Sequence, residues 1–408
     1  MSPAGPSAGP YGPAVPRPER PARAARRPRV TVVQPYITGY RAPFLARLGP
    51  VLAARGIDLT VAHGRPAPRL AARGDAVRLP GACELPQRDF EFGGRTVMWR
   101  DLGALRGHSD VLILEQALHN LESLPPLLRP GGGPAVALWG HGTTYNARHG
   151  QVLDALKRRM TRRARWFFAY TEGGARAVAA AGFPGERITV VRNTIDTDAL
   201  VAARDAVTGA EADAFRRLYG LTPGRTGLYI GALDRTKRVG FLLDAADRLA
   251  RELPGFRLLI AGDGPDRDLV ERVARERGVV VYGGRTAGDV HKALVGAVSD
   301  VLLVPGQVGL VAVDSFALRT PVVTTAGLCH GPEFDYLRDG ENARVVDGGI
   351  EAYVRTVAEL LADPARLRRL SDVCRTDAAH YTIGGMAERF AQGVEQMVGN
   401  LPTFASCR

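Results

Sequence analysis

From residue 30 almost to the C-terminus, short apolar, β-branched runs alternate with stretches whose apolar positions recur every three or four residues. The runs predict strands at Val30–Val33, Ile57–Ala62, Val111–Leu114, Ala135–Leu138, Trp166–Ala169 and Ile188–Val191. Further along they predict Gly227–Ile230, Arg257–Ala261, Val279–Tyr282, Val301–Val304 and Pro321–Thr324. Strands that are apolar on both faces, with helices between them, belong to parallel sheets covered on each side. The strand rhythm pauses around 193–221, which divides the chain into a first domain over 29–192 and a linker plus second domain over 193–383. The pattern therefore predicts an α/β protein of two doubly wound, Rossmann-like domains. In such folds ligands bind beyond the carboxyl ends of the strands, so the cleft between the domains is the expected site.

Length and composition sharpen this picture. A chain of 408 residues suits two cores, and 45% hydrophobic with 24% charged residues is a globular composition. Residues 1–28 are the exception: Pro, Ala, Gly and Arg with almost no large apolar side chain, which predicts a disordered tail. The tail lacks the apolar core of a signal peptide, and no later run reaches membrane-spanning length. Cys83, Cys329, Cys374 and Cys407 are widely separated and show no metal-ligand spacing, so reduced thiols and a cytoplasmic location are expected. Most of the net charge of +12 comes from Arg17, Arg20, Arg23, Arg26, Arg27 and Arg29, and from the basic stretch 151–165. The remaining body is nearly neutral, which argues against nucleic acid as a partner.

Two strand exits carry candidate chemistry. After Val301–Val304 the chain reads PGQVGLVAVDSFALRTPVVTT: Gly306 and Gly309 permit close backbone approach, and a helix expected from Val311 offers unpaired amides and a positive dipole end. That suits an anion such as a diphosphate. Asp314 follows in the first turn or so, where it reads either as a capping carboxylate or as an acceptor for hydroxyls beside the anion, as on a ribose. The second exit, GALDRTKRVGFLLDAADRL over 231–249, sets Arg235, Lys237 and Arg238 beside another helix start. Cations there oppose the dipole unless an anion lies between them. A third segment, LLIAGDGPDRDLV over 258–270, reads as a tight loop that keeps the cleft floor thin.

Taken in order, IGALDRTKRVGFLLDAA, LLIAGDGP, VVYGGR, VSDVLLVPGQVGLVAVDSFALRTPVVTT and GPEFDYLRDGENARVV resemble the retaining, nucleotide-sugar-dependent glycosyltransferases of family 4, which have the GT-B fold. The likeness runs from residue 30 to about 398 and includes ALWGHG (137–142) and YTEGGARAVAAAGFPGERITVVRNTIDTDAL. It implies a closing helix over 384–400 that packs back on the first domain. It also implies that Lys237 binds the donor diphosphate, with Arg235 replacing a companion arginine whose place is taken by Ala232. The family's pair of glutamates falls on Gly306 and Asp314: the first is lost, and backbone amides of Val308, Gly309 and Leu310 are expected to take over; the second is shortened but still suited to ribose hydroxyls. TGYR (38–41) takes the place of the glycine-rich first loop, with Gly39 nearest the phosphates.

His141, between Gly140 and Gly142 at a strand end, reads as a sheet cap or as an active-site group, and the resemblance favours the latter. Glu333 is expected to face the cleft near a helix start, His330 to serve the fold or the site equally, and Glu115 to meet either acceptor or solvent. The resemblance implies transfer of a hexosyl or N-acetylhexosaminyl group from a nucleotide-diphosphate sugar to an acceptor hydroxyl with retention, on a glycan, a lipid-linked precursor or a secondary metabolite. No metal or organic cofactor is implied, and no DxD motif stands at a strand end. The alternatives are an epimerase of the same fold and a non-enzymatic protein binding anionic polymer or membrane. The last draws on helix 153–165, where Leu153, Leu156, Met160 and Ala164 form an inward stripe. Lys157, Arg158, Arg159, Arg162, Arg163 and Arg165 cover the rest, as a solvated face or as a dock for an anionic membrane surface.

Overall fold

Near-continuous Val, Leu, Ile and Phe runs cannot leave either face in water, and in the structure they form the interior of two all-parallel sheets. The structure, a computed structural model, describes residues 26–67, 71, 74–92, 95–128, 133–142, 151–286 and 288–401. The tail expected over 1–28 lies outside the described residues up to residue 25. Residues 26–28 run along the first sheet, with Asp58 N–H donating to Pro28 O at 2.9 Å.

The first sheet has seven strands in the spatial order Cys83–Glu84, Asp58–His63, Arg29–Gln34, Val111–Glu115, Ala135–Gly140, Trp166–Ala169 and Ile188–Val190. The second has six: Val280–Tyr282, Arg257–Asp263, Thr226–Ala232, Val301–Val304, Val322–Thr325 and Ala343–Val346. Both are parallel throughout, and both reverse their winding once. The reversal falls between Arg29–Gln34 and Val111–Glu115 in the first sheet, and between Thr226–Ala232 and Val301–Val304 in the second. Every strand read from the sequence is present, shifted by a residue or two at its ends. Three elements were not anticipated: the two-residue edge strand Cys83–Glu84, the last strand Ala343–Val346, and an antiparallel hairpin of Gln87–Phe92 with Arg95–Arg100.

The stretch where the strand rhythm pauses holds two helices, Thr197–Ala206 and Gly209–Tyr219, the latter opened by a capping box between Thr208 and Glu211. The final helix, Ile383–Gly399, leaves the second sheet and lies on the first. Phe390 stacks on Phe168 with centroids 4.2 Å apart and meets Trp139 and Phe44 edge-on. Gly393 permits this approach, since a Cβ there would fall 2.4 Å from Thr189 Oγ1. Among the described residues no helix is long and apolar enough to cross a membrane.

The basic helix spans Gln151–Arg163 and corrects two expectations. Met160 and the following Ala164 are buried and Leu156 is half-buried, but Leu153 is 40% exposed. Lys157 does not join the outer face. It is half-buried towards Glu115 and Thr161, and burial pulls its ammonium below the ordinary lysine range.

Candidate functional site

Winding reversals leave a crevice at the carboxyl ends of the flanking strands, because their connections depart to opposite sides. In the second sheet the two segments leaving that point are 233–238 and 305–310. Asp234 accepts from Thr236 N–H at 2.8 Å and caps the 3-10 turn Arg235–Lys237. Arg238 then adopts a left-handed φ of 53° that turns the chain into helix Val239–Glu252. This folds the cationic turn onto the neighbouring exit. Lys237 Nζ donates to Gln307 O at 2.6 Å, and Gln307 N–H donates to Thr236 O at 3.0 Å. Gly306 is pressed against Lys237 so closely that a Cβ would lie 2.4 Å from the Lys237 carbonyl carbon. The glutamate that the resemblance would place there is sterically excluded by this packing.

The 305–308 backbone is bonded inward. Pro305 O accepts from Thr325 Oγ1 at 2.9 Å and from Arg238 at 3.3 Å; Val308 O accepts from Gly331 N–H at 2.6 Å. Val308 N–H donates to His330 Nδ1 at 3.1 Å, which corrects the expectation that this amide faces a ligand. The amides of Gly309 and Leu310 donate to no group among the described residues. They open helix Val311–Leu318, which has no side-chain cap, so two amides and the positive dipole end point at the crevice. Arg235 is exposed, two residues before Lys237 on the same turn.

Asp314 does not cap the helix. It is buried and accepts from Lys292 Nζ at 2.8 Å, the lysine standing on helix Gly288–Ala297. Burial works against the Lys292 ammonium, but the Asp314 charge and hydrogen bond, with the Asp289 charge, outweigh it and raise the pKa. Any hydroxyl reaching Asp314 meets a carboxylate already held by a cation.

In the first domain, His141 ends strand Ala135–Gly140 between two glycines that the packing requires. A Cβ on Gly140 would fall 2.9 Å from Gln116 Cβ, and one on Gly142, whose φ is 79°, would fall 2.4 Å from Gly174 O. The ring meets Tyr170 edge-on at 4.8 Å. Burial above all pushes its pKa down from 6.5 to about 4; Lys157 and Arg41 add to this and Glu115 opposes it. In the unfolded chain the ring protonates near its ordinary value, so its contribution to stability is complete above pH 6.5 and declines as the pH falls from there towards 4. At neutral pH it is a neutral donor–acceptor. If His141 serves the site as the resemblance implies, its replacement with alanine should lower turnover while leaving nucleotide affinity within a few-fold, since Lys237 and the Gly309 and Leu310 amides stand on the other domain. Activity assays beside calorimetric titration check this; equal losses in both would make His141 a part of the scaffold.

Arg41, in the TGYR loop, is buried with its guanidinium 4.6 Å from the Trp139 ring centroid. It donates to Asn193 Oδ1 at 2.8 Å, and Asn193 Nδ2 donates to Glu333 Oε1 at 2.6 Å. Glu333 is therefore not open to the cleft as expected. It is 4% exposed, and burial raises its pKa although the Asn193 bond opposes this. It serves first as the far end of a polar chain between the two domains. Asp335 adds to that link by accepting from Thr171 Oγ1 at 2.8 Å and Gly173 N–H at 3.0 Å, at the start of helix Glu172–Ala180. Gly39 is exposed, with its N–H given to Asp75 O at 2.9 Å. Glu115 accepts from Asn120 Nδ2 at 2.8 Å. Sequence reasoning gave no role to Arg41, Asn193 or Lys292.

Residues 13–199 match the description Glycosyltransferase Family 4, and residues 221–376 match Glycosyl transferases group 1. With both sheets and their order in hand, the chain belongs to the group 1 glycosyltransferases of the GT-B fold. It is 31% identical to the lipopolysaccharide core biosynthesis glycosyltransferase LpsE of Rhizobium meliloti, over 54% of this chain and 59% of that protein. The match thus spans well under two thirds of that relative's length. A glycogen synthase of Mycobacterium tuberculosis is 27% identical over 84% of this chain and 87% of its own. Among solved structures, Anabaena HepE in complex with UDP and glucose superposes with a TM-score of 0.62 at 14% identity, covering 91% of this chain and all of that one. At that identity the likeness concerns the fold.

Proposed function

We propose that the protein transfers a hexosyl or N-acetylhexosaminyl group from a nucleoside-diphosphate sugar to an acceptor hydroxyl, with retention at the anomeric carbon. The observation that carries this reading is the pairing of Lys237 with the open amides of Gly309 and Leu310 at the winding reversal of the second sheet. Breaking the bond between C1 and the phosphate oxygen develops negative charge on the diphosphate, which a cation and two open amides would stabilise. Arg235 supplies a further cation from the same turn as Lys237. The acceptor oxygen bonds to C1 on the face the phosphate leaves, and its proton passes to the departing phosphate oxygen. Neutral His141, at the end of a first-domain strand, would be suited to a sugar hydroxyl. Asp314, hydrogen-bonded to Lys292, would take ribose hydroxyls. Glycan, lipid-linked and secondary-metabolite acceptors all suit this chemistry, in the cytoplasm. A thermal-shift screen of UDP-, GDP- and dTDP-sugars followed by a donor-hydrolysis assay tests the reading. Stabilisation and turnover with one nucleotide class are expected, and no response to any of the three rejects it.

A second reading concerns where the protein works. Arg158, Arg159, Arg162, Arg163 and Arg165 are exposed on or just beyond helix Gln151–Arg163. Three are steadied by backbone carbonyls: Arg162 by Ala181, Arg163 by Leu128 and Arg165 by Asn400. Such a face suits an anionic membrane, at about 1 kcal/mol per basic residue near the surface and weakened by salt. Full-length protein should float with phosphatidylglycerol vesicles at low salt and not with phosphatidylcholine. The variant with Arg158, Arg159, Arg162 and Arg163 changed to Gln should float markedly less; equal flotation of the two assigns the binding elsewhere and removes the helix from the account.

A further inference from the structure

We propose that His330 positions the segment that receives the donor diphosphate, by holding the Val308 amide inward so that the next two amides, of Gly309 and Leu310, face the crevice together. The inference rests on the reading of that crevice as a donor site. Its geometry is specific. Val308 N–H donates to Nδ1 at 3.1 Å, so Nδ1 carries no proton, and the remaining ring proton sits on Nε2, which reaches Thr325 O at 2.9 Å. The ring is 6% exposed and lies flat on Phe334, with centroids 4.1 Å apart and planes within 3°. Gly331 N–H takes Val308 O at 2.6 Å, so Val308 is gripped at both its polar atoms by consecutive residues of one loop.

This grip matters because Gly306 has no room for a side chain. With the glutamate position empty, the phosphates depend on backbone amides, and the direction of those amides is set by the peptide immediately before them. An imidazole that bonds through Nδ1 and Nε2 at once fixes that peptide relative to strand Val322–Thr325, which also anchors Pro305 through the Thr325 hydroxyl. His330 thus acts on the donor through Val308 and touches no reacting atom.

The same geometry makes the loop sensitive to acid. A protonated ring would present an Nδ1–H to the Val308 N–H and lose the bond. Burial, with Lys237 adding to it, holds the ring's pKa below the ordinary imidazole range, against the Thr325 carbonyl, which raises it. The charged or titratable groups around it are Lys237 and Arg238 on the cationic turn and Glu333 on its own loop. The neutral ring and the shaped loop therefore persist through neutral pH, and both are lost on acidification below the native pKa.

Two variants separate the ring's bonds. His330→Asn places a carboxamide oxygen near Nδ1 and can still accept from Val308, whereas His330→Gln reaches Thr325 O and leaves Val308 N–H unpaired. Calorimetric titration of the full-length proteins with UDP, or with GDP if UDP does not bind, should give His330→Asn an affinity within about three-fold of the parent. His330→Gln should bind about ten-fold or more weakly, as expected for the loss of one shaping bond. As the pH is lowered from 8 through the His330 ring's own titration, followed by NMR, the parent should lose more affinity than His330→Asn, the nucleotide's own titration being common to both. Equal binding by the two variants, or matching pH dependence in parent and His330→Asn, overturns the proposal and leaves the donor site standing. A parent that binds neither nucleotide removes the donor site and this inference together. Should either variant fail to fold, the amide-exchange protection factor of Val308 in the parent decides: protection at pH 8 and its loss once NMR shows the His330 ring protonated is expected, and protection that stays constant across the ring's titration overturns the proposal.

Discussion

Lys237→Ala should give a folded protein whose donor turnover falls by about 2–4 kcal/mol of transition-state stabilisation, on the order of 30- to 1,000-fold in kcat/KM. In the structure the Lys237 ammonium spans from the cationic turn to Gln307 O, at the edge of the crevice that Gly309 and Leu310 open onto. A diphosphate there competes with a carbonyl for the cation, and charge-assisted bonds to phosphate are the stronger. The lysine is half-buried rather than core, so its loss should leave the fold intact. Steady-state kinetics on the variant, with its melting profile as a control, tests this. Near-parental kcat/KM would mean that the crevice binds no phosphate through Lys237.

The second large effect falls on the Asp314–Lys292 pair. Asp314→Ala strands the Lys292 ammonium in a mostly buried position, and breaking one side of such a pair costs about 3–5 kcal/mol. The double variant Asp314→Leu with Lys292→Met removes both charges and should regain most of that stability, because apolar replacements of similar volume tolerate the same surroundings. It should not regain nucleotide affinity, since no acceptor for ribose hydroxyls remains. Chemical denaturation of the three proteins beside UDP titration separates the roles. Parental UDP affinity in the double variant would make Asp314 a structural group only.

These expectations depend on residues that were not equally legible in the chain. Val301–Val304 could be read from the sequence because a fully buried parallel strand is apolar at every position, and it runs between the residues its pattern marks. The hairpin Gln87–Phe92 with Arg95–Arg100 is rich in charge, holds no apolar run longer than Val97-Met98-Trp99 and exposes Phe90 and Trp99, so it offers no long buried run to read. Strand Ala343–Val346 is four residues at a sheet edge, with Arg344 in its middle. In the site, Gly306, Gly309, Leu310 and Lys237 stand out because strand exit, glycine and helix start are local features. Lys292, Arg41 and Asn193 do not, and His330 stands out only without a settled role, because their partners are distant in sequence. Asp314 and Val308 each lie 22 positions from the side chain that holds them, and the Arg41–Asn193 and Asn193–Glu333 bonds close separations of 152 and 140. Burial of Arg41 among aromatic rings is likewise a product of tertiary packing, since TGYR alone reads as a surface loop.

The structure of the full-length protein with UDP bound tests the donor site most directly. The account predicts β-phosphate oxygens within hydrogen-bond distance of the Gly309 and Leu310 amides and of Lys237 Nζ, with the Val308 amide still turned inward to His330. UDP seated away from the winding reversal of the second sheet, or a diphosphate that touches neither amide, would contradict it.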